Sequence, residues 1–302
     1  MTRRILIAYD GSACAEAALD DLGRAGLDGE AMAIVVTVIE GWLPPHQPEA
    51  MSQEAFAQDY PDLISEFRRM ADSASVRLHS LFPGWKISAD VSVGSPARTI
   101  IERAEVWPAD LIVAGSHGRS AAGRLLFGSV SRKVLTEAHC SVRIARGRPG
   151  RTEAPVRIVI GVDGSPESEA AVTAVAGRIW PADSEACVIS VQDEIVNTVV
   201  DWVNRTSGDG KAWMNQTLED AEAKLHAAGL TTLAAIRKGD PKRVLVEEAE
   251  RLNADVIFVG ARGLSGLERF RLGSVSSAVA ARAHCSVEVV RTIKATNNTP
   301  VI

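Results

Sequence analysis

The 302-residue sequence lacks the marks of several large functional classes. It contains no run of about 20 apolar residues, so no ordinary membrane-spanning helix is expected. The start passes directly into an apolar, strand-like run from Arg4 to Tyr9, which leaves no room for a signal peptide and predicts a cytoplasmic protein. A net charge of −5 argues against a nucleic-acid-binding surface.

Cysteine is also scarce. The four cysteines, Cys14, Cys140, Cys187 and Cys285, form no Cys-x-x-Cys pair. In a reducing compartment, free and mostly buried thiols are expected rather than disulfides. Two of the cysteines follow a histidine, but adjacent residues at the entrance of a strand point to opposite faces, so no metal site is expected there.

The familiar catalytic motifs are missing. The sequence has no Gly-x4-Gly-Lys-Ser/Thr loop, no Gly-x-Gly-x-x-Gly fingerprint, no Gly-x-Ser-x-Gly elbow and no His-Glu-x-x-His. Neither an activated nucleophile nor a carboxylate pair is placed by spacing. A binding protein is therefore predicted, rather than an enzyme.

What the sequence does contain is one pattern written twice. Asp10-Gly-Ser recurs at Asp163 with an offset of 153, whereas Gly94-Ser-Pro and later motifs recur with an offset of 145. The first copy therefore carries about eight extra residues, which we place in the polar, proline-bearing segment from Gly41 to Pro61, a loop or lid. The duplication predicts domains at 1–146 and 156–293, a linker at 147–155 and a C-terminal tail at 294–302.

Strands and helices alternate in each copy. The first copy has predicted strands at Arg4–Tyr9, Ala31–Ile39, Trp85–Val93, Leu111–Ala114 and Ser141–Ala145, and predicted helices at Ala13–Ala25, Leu63–Leu81, from Pro96, and at Val130–Ala138. Ser12 and Ser95 are expected to cap helices. This alternation is typical of a parallel α/β sheet, whose ligands bind beyond the carboxyl ends of the strands at the switch point of strand order.

A glycine loop lies at that edge in both copies. It runs Gly115-x2-Gly118-x9-Gly128-Ser129 and again from Gly260, each time between a short apolar strand and a helix. Glycines permit positive φ and close ligand approach, and a helix start presents free N–H groups to an anion. A tight strand-to-helix turn also needs glycine, but identical spacing in two copies favours a phosphate site.

Gly-x2-Gly-x9-Gly-Ser resembles the nucleotide-binding signature of the universal stress protein family, and the resemblance covers Arg3 to Arg146 and Arg157 to Arg291. It implies an α/β fold of two tandem five-stranded parallel-sheet, Rossmann-like domains, paired through their last strands as a pseudo-dimer. It also implies ATP or another adenine nucleotide, with or without Mg²⁺, and a regulatory or sensing role in stress adaptation, dormancy or hypoxia. Further homodimerisation and a protein partner are left open. Ser141 and Ser286 stand where the family often has proline.

By this resemblance, each copy has its own set of nucleotide-binding residues. The first set is Asp10, Gly11, Val38, Gly115, His117, Gly118, Arg124, Gly128, Ser129, Val130 and Ser131. The second set is Asp163, Gly164, Val191, Gly260, Arg262, Gly263, Arg269, Gly273, Ser274, Val275 and Ser276. The aspartates either cap a turn or accept hydrogen bonds from the nucleoside, and the valines would offer backbone groups to adenine. The histidine and arginines either neutralise phosphate or are surface charges.

Two other functions remain open at this point. The chain could be a slow ATP hydrolase in which Asp10 or Asp163 orients metal-bound phosphate. It could also be an interaction scaffold in which the loops are relics, with the segment from Gly41 to Pro61 as partner or lid element.

Overall fold

The computed structural model of the chain describes residues 2–27, 29–40, 56, 58–118, 127–147, 154–192, 209–264 and 272–292. Most of the predicted extra loop, most of the linker and the predicted tail lie outside these residues. In the part of the chain that is described, no helix is both long and apolar enough to cross a membrane.

The two copies have the same order of elements. The first contains β1 (Arg3–Ala8), α1 (Ala13–Leu22), β2 (Ala31–Glu40), α2 (Pro61–Leu81), β3 (Lys86–Gly94), α3 (Pro96–Val106), β4 (Leu111–Gly115), α4 (Ser129–Glu137) and β5 (Ser141–Ala145). The second contains β6 (Arg157–Val162), α5 (Pro166–Ala176), β7 (Glu185–Gln192), α6 (Asp209–Ala227), β8 (Thr231–Lys238), α7 (Pro241–Arg251), β9 (Val256–Gly260), α8 (Ser274–Arg282) and β10 (Ser286–Val290). The five strands predicted for the first copy are confirmed to within a residue at either end.

Three details of the helices differ from prediction, the first being that α2 begins at Pro61 rather than at Leu63. α1 ends at Leu22 rather than Ala25, because the next N–H groups bond three residues back, from Arg24 to Asp21 O and from Ala25 to Leu22 O, which tightens the last turn. Ser95 occupies the N-cap position of α3, as predicted, but its side chain makes no capping hydrogen bond. Pro96 at the first helical position has no N–H group, so this helix start has one donor fewer that needs an acceptor.

All ten strands join into one sheet. Its order is β3-β2-β1-β4-β5-β10-β9-β6-β7-β8, and every pairing within a copy is parallel. The last strands of the two copies, β5 and β10, pair antiparallel. The predicted α/β fold and internal pseudo-dimer are thus confirmed. Strand order reverses between β1 and β4 and between β6 and β9, which are the two switch points.

One apolar core layer contains residues of both copies, and each copy has a second core layer of its own. Helices α3, α4, α7 and α8 cover one face of the sheet with a single apolar cluster that includes residues of both copies, among them Ile112, Val142, Ile257 and Val287. On the opposite face, α1 and α2 cover the first copy and α5 covers the second together with α6. Because both faces are covered, the central strands read as continuous apolar runs rather than alternating ones.

The seam between the copies is held by a symmetric pair of arginines. The Arg146 guanidinium donates to Ala280 O at 2.6 Å, and its backbone N–H donates to Ser286 Oγ at 2.8 Å. Arg291 reciprocates across the pseudo-twofold axis, donating to Cys140 O at 3.1 Å and, through its N–H, to Ser141 Oγ at 3.1 Å. The serines that replace the family's usual proline therefore act as acceptors at the seam.

At the centre of the seam the symmetry is broken by charge. Arg143 and Glu288 stand directly opposite each other in the β5–β10 ladder, each only 1% exposed. Arg143 bonds Asp21 Oδ2 at 2.6 Å and Glu288 Oε2 at 3.2 Å, while Arg178 bonds the other oxygen of Glu288. Opposite charges in the low-dielectric interior, each satisfied by hydrogen bonds, make this pairing specific for unlike copies.

Candidate functional site

The turns after β1 and β6 lie at the carboxyl edge of the sheet. Gly11 and Gly164 have φ of 72° and 74°, a left-handed conformation that favours glycine. Ser12 then caps α1 by accepting from Ala15 N at 3.2 Å, and Ser165 caps α5 from the equivalent position. The predicted cap at Ser12 is thereby confirmed.

The aspartates in these turns use their two oxygens differently. Oδ1 of Asp10 accepts from Ser12 N at 3.0 Å, and Oδ1 of Asp163 accepts from Ser165 N at 3.1 Å, which is the turn-capping role. Oδ2 faces the glycine loop: in the second copy it accepts from Leu264 N at 3.1 Å, across 101 residues of sequence. Asp163 therefore caps the turn through Oδ1, while Oδ2 lies at the loop. Its hydrogen bond to a nucleoside stays a prediction.

The described loop glycines are required for space and not for positive φ, which was one of the two uses expected from the sequence. None of those described has positive φ. A Cβ on Gly118 would lie 2.9 Å from Asp10 Oδ2, and one on Gly263 would lie 2.4 Å from Asp163 Oδ2. At Gly115 a Cβ would meet the backbone of α1 at 2.8 Å. The loop is thus pressed against both the aspartate and the neighbouring helix.

The helices that follow the loops begin at Ser129 and Ser274, and the first of these starts is within one residue of the predicted Val130. Their N-cap residues are Gly128 and Gly273, and neither helix has a side-chain capping bond. The first N–H groups of α4 and α8 therefore lack the side-chain acceptor that Ser12 gives to α1, and an anion can take that place. Ser129 and Ser274 are exposed, whereas Val130 and Val275, at the next position, pack against the shared core.

The second serine of each motif points inward, which departs from its predicted part in holding phosphate. Ser131 Oγ donates to Gly115 O at 2.7 Å, and Ser276 Oγ donates to Ala261 O at 2.9 Å. Both residues are buried. Their hydroxyls fix the loop to the helix start, so any contact with phosphate must come from their backbone N–H groups.

Of the cationic residues predicted beside the loops, the structure describes Arg262 and His117. Arg262 is paired with Glu167, with Nε at 3.1 Å from Oε1. The Nδ1 atom of His117 lies 2.9 Å from Ser116 Oγ, and burial, followed by the nearby positive charge of Arg146, lowers the pKa of His117 below its ordinary value of 6.5. His117 is therefore neutral at pH 7 in this state. Arg124 and Arg269 lie outside the described residues.

Val38 and Val191 lie at the same edge of the sheet, near the carboxyl ends of β2 and β7. Both side chains are half-buried and pack against the shared core. Their backbone contact with an adenine ring stays a prediction.

The His-Cys pairs behave as expected from their positions in sequence. His139 pairs with Glu105 at 2.7 Å on the surface, whereas Cys140 is buried, and burial raises the pKa of its thiol to about 11. The four cysteines are free, and three are buried, as predicted. Among the described residues, no group of three or more His, Cys, Asp or Glu side chains is placed to hold a metal ion.

Sequence reasoning missed Trp213, near the start of α6, which lies against Gly164 in the second copy. A Cβ on Gly164 would come within 2.0 Å of the indole ring. Because α6 begins far from Gly164 in sequence, only the fold brings the two together. The 44% exposure of Trp213 is visible only in the structure, so the sequence offered no local signal for it.

Fold and site together define a tandem α/β protein with a glycine loop and an uncapped helix start at each of two switch points. The model of the universal stress protein family matches residues 1–146 and again 156–291. The chain belongs to the universal stress protein family.

The relatives match either the whole chain or one copy of it. A universal stress protein of Mycolicibacterium smegmatis is 27% identical, with 95% of this chain and 96% of that protein covered. Universal stress protein MJ0531 of Methanocaldococcus jannaschii is 30% identical over 48% of this chain and 82% of its own length. The crystal structure of a universal stress protein from Archaeoglobus fulgidus matches with a TM-score of 0.64 at 22% identity, covering 95% of this chain and 96% of that one, and shares the fold.

Proposed function

We propose that each copy binds one adenine nucleotide, ATP foremost, and that the chain acts as a nucleotide-dependent regulator in stress adaptation. One observation carries the proposal. In both copies a glycine loop packed against an aspartate and an uncapped helix N-terminus meet at the switch point of the sheet. Ligands of open α/β sheets bind at this place.

Each part of the site has a distinct task in this proposal. The free N–H groups at the starts of α4 and α8 bind phosphate oxygens, supported by the helix dipole and by the hydroxyls of Ser129 and Ser274. Oδ2 of Asp10 and of Asp163 accepts hydrogen bonds from ribose hydroxyls, while Oδ1 stays bonded to the turn. The backbone at Val38 and Val191 meets the edge of the purine.

The same geometry favours binding over turnover. Asp163 already accepts from Ser165 N, from Ser165 Oγ at 2.6 Å and from Leu264 N. A carboxylate held by three donors is fixed in position, so it serves as an acceptor rather than as a mobile base. In our proposal nucleotide occupancy, rather than a reaction product, is therefore the signal.

The test is calorimetric titration of the full chain with ATP, comparing wild type with Gly118→Val and Gly263→Val. Each side chain collides with the aspartate of its own copy, so each variant should bind one equivalent where wild type binds two, with micromolar affinity of about −8 kcal/mol. Gly84→Val is the matched control, since a Cβ there meets only Gly29 O at 3.5 Å.

Three outcomes would contradict the proposal. Two equivalents bound by both loop variants would remove the loops from the site. Absence of binding by wild type at millimolar ATP would leave an interaction scaffold. Steady phosphate release that the double change Asp10→Ala/Asp163→Ala abolishes would identify a slow hydrolase instead.

A further inference from the structure

The second copy carries an aromatic ring at its candidate site. Atoms Cζ2 and Cη2 of Trp213 would lie 2.0 and 2.2 Å from a Cβ on Gly164, so the ring is in close contact with the backbone of the Asp163-Gly164 turn. Gly164 is thus required both by its φ of 74° and by this contact. The ring stands next to the carboxylate that our proposed function assigns to ribose.

The start of α6 spans the edge of the sheet from one strand end to the next. Trp213 contacts the turn that follows β6, while the Sδ atom of Met214 accepts from Gln192 Nε2 at 3.7 Å at the end of β7. Val191, assigned to the purine edge, directly precedes Gln192. The start of α6 therefore contacts both of the strand ends that our proposed function assigns to the nucleoside.

The exposure of the ring indicates a use. Trp213 remains 44% exposed, although it packs closely against Gly164 on one side. A rigid aromatic ring with one part packed and another open to solvent at a ligand site is a platform on which a base can stack. Such stacking is tolerant of which base is present, since each base has a π face.

Among the described residues of the first copy, the equivalent position in α2 carries no aromatic ring. Ala221-x3-Leu225-His226 in α6 matches Ala74-x3-Leu78-His79 in α2, with the paired leucines buried in both copies. Trp213 lies 13 residues before its histidine, and the residue 13 before His79 is Glu66, which is exposed. A carboxylate offers no stacking surface and repels phosphate.

We propose that Trp213 is a base-stacking residue of the second nucleotide site, which makes the two sites unequal in how they hold the base. The inference rests on the proposed function. In the second copy the base is held by the indole as well as by the purine-edge backbone. In the first copy Glu66 replaces the indole and the base lacks this contact.

The test uses the full chain carrying Gly118→Val, so that only the second site is titrated. Trp213→Leu keeps apolar bulk against Gly164 but removes the aromatic face, and should weaken ATP binding about 5- to 150-fold. Trp213→Phe should restore most of the affinity. Inorganic tripolyphosphate, which has no base, should bind the Leu variant and its parent equally. Glu66→Leu, made in a Gly263→Val chain that retains only the first site, is the matched control and should lose no affinity.

The outcomes separate the inference from the function on which it rests. Titration of the unmodified wild type tests the proposed function. If no nucleotide binds, both the proposed function and the inference about Trp213 are overturned. With wild type binding, unchanged ATP affinity in Trp213→Leu overturns stacking alone. Tighter binding would show that the ring occupies the site, and an equal loss for tripolyphosphate would show that it only positions the loop; either result overturns the inference.

Discussion

Single glycines shape the candidate site in two physically different ways. Gly11 and Gly164 are set by backbone conformation, whereas Gly115, Gly118, Gly260 and the other described loop glycines are set by lack of room. The sequence located both kinds, and for the loop glycines it suggested positive φ and close ligand approach, but it did not show which neighbour limits the space at each one. Distinguishing the two requires knowing which neighbour approaches, and that neighbour is distant in sequence.

At Gly164 the energetic cost of a left-handed backbone conformation can be separated from the cost of a steric collision. Gly164→Ala forces a Cβ both into the left-handed region and into the ring of Trp213, so we expect it to destabilise the fold by more than the conformational cost of about 1–2 kcal/mol. Gly229→Ala is the control, because Gly229 has φ of 84° but no atom within 4 Å of its Cβ position. Urea unfolding should show a clear excess loss for Gly164→Ala, part of which Trp213→Ala recovers. Equal losses for the two glycine variants would mean that the ring moves aside at no cost.

At the scale of elements, the helices at the site edge divide by how they start. α1 and α5 follow serine caps whose side chains accept a backbone hydrogen bond, while α4 and α8 follow glycine and have no such bond. The capped helices need no ligand at their N-termini. The uncapped pair gains a partner for its N–H groups only from an anion or from water.

This division predicts different effects of removing a serine hydroxyl. Ser12→Ala should cost about 1 kcal/mol of unfolding free energy, because Ala15 N loses its acceptor. Ser95→Ala should cost far less, since Ser95 occupies an N-cap position without a side-chain capping bond. Chemical denaturation of the two variants measures the difference. A loss at Ser95 as large as that at Ser12 would contradict the assignment of capping energy to the hydroxyl bond.

The sequence predicted the strands and helix starts well because these depend on local patterns. Apolar runs identified the central strands, and Ser12, Pro96 and Gly128 marked helix starts within one residue. It predicted the candidate site less completely. The inward hydroxyl of Ser131, the pairing of Arg262 with Glu167 and the ring of Trp213 all depend on contacts across 16 or more residues. No local pattern encodes such contacts.

At the scale of the whole molecule, the seam explains how one chain keeps its two copies paired with each other. The arginines at 146 and 291 would serve any pair of copies equally well, because their bonds are symmetric. Arg143 and Glu288 would not. Pairing two first copies would put Arg143 opposite Arg143, and pairing two second copies would put Glu288 opposite Glu288, both buried. Like charges placed this way strongly disfavour the alternative pairings.

Removing that central charge should therefore cost far more than removing a surface charge. Glu288→Gln leaves the buried guanidiniums of Arg143 and Arg178 without the carboxylate that both contact, and we expect a loss of about 3–5 kcal/mol in unfolding free energy. Glu250→Gln, which removes the half-exposed partner of His284, should cost less than about 1 kcal/mol. Urea unfolding at low and high salt distinguishes the two further, because salt screens the surface pair and leaves the buried one largely unscreened. If Glu288→Gln lost no more unfolding free energy than Glu250→Gln, the pairing of β5 with β10 and the bonds of Arg146 and Arg291 would hold the copies together without help from the buried charges.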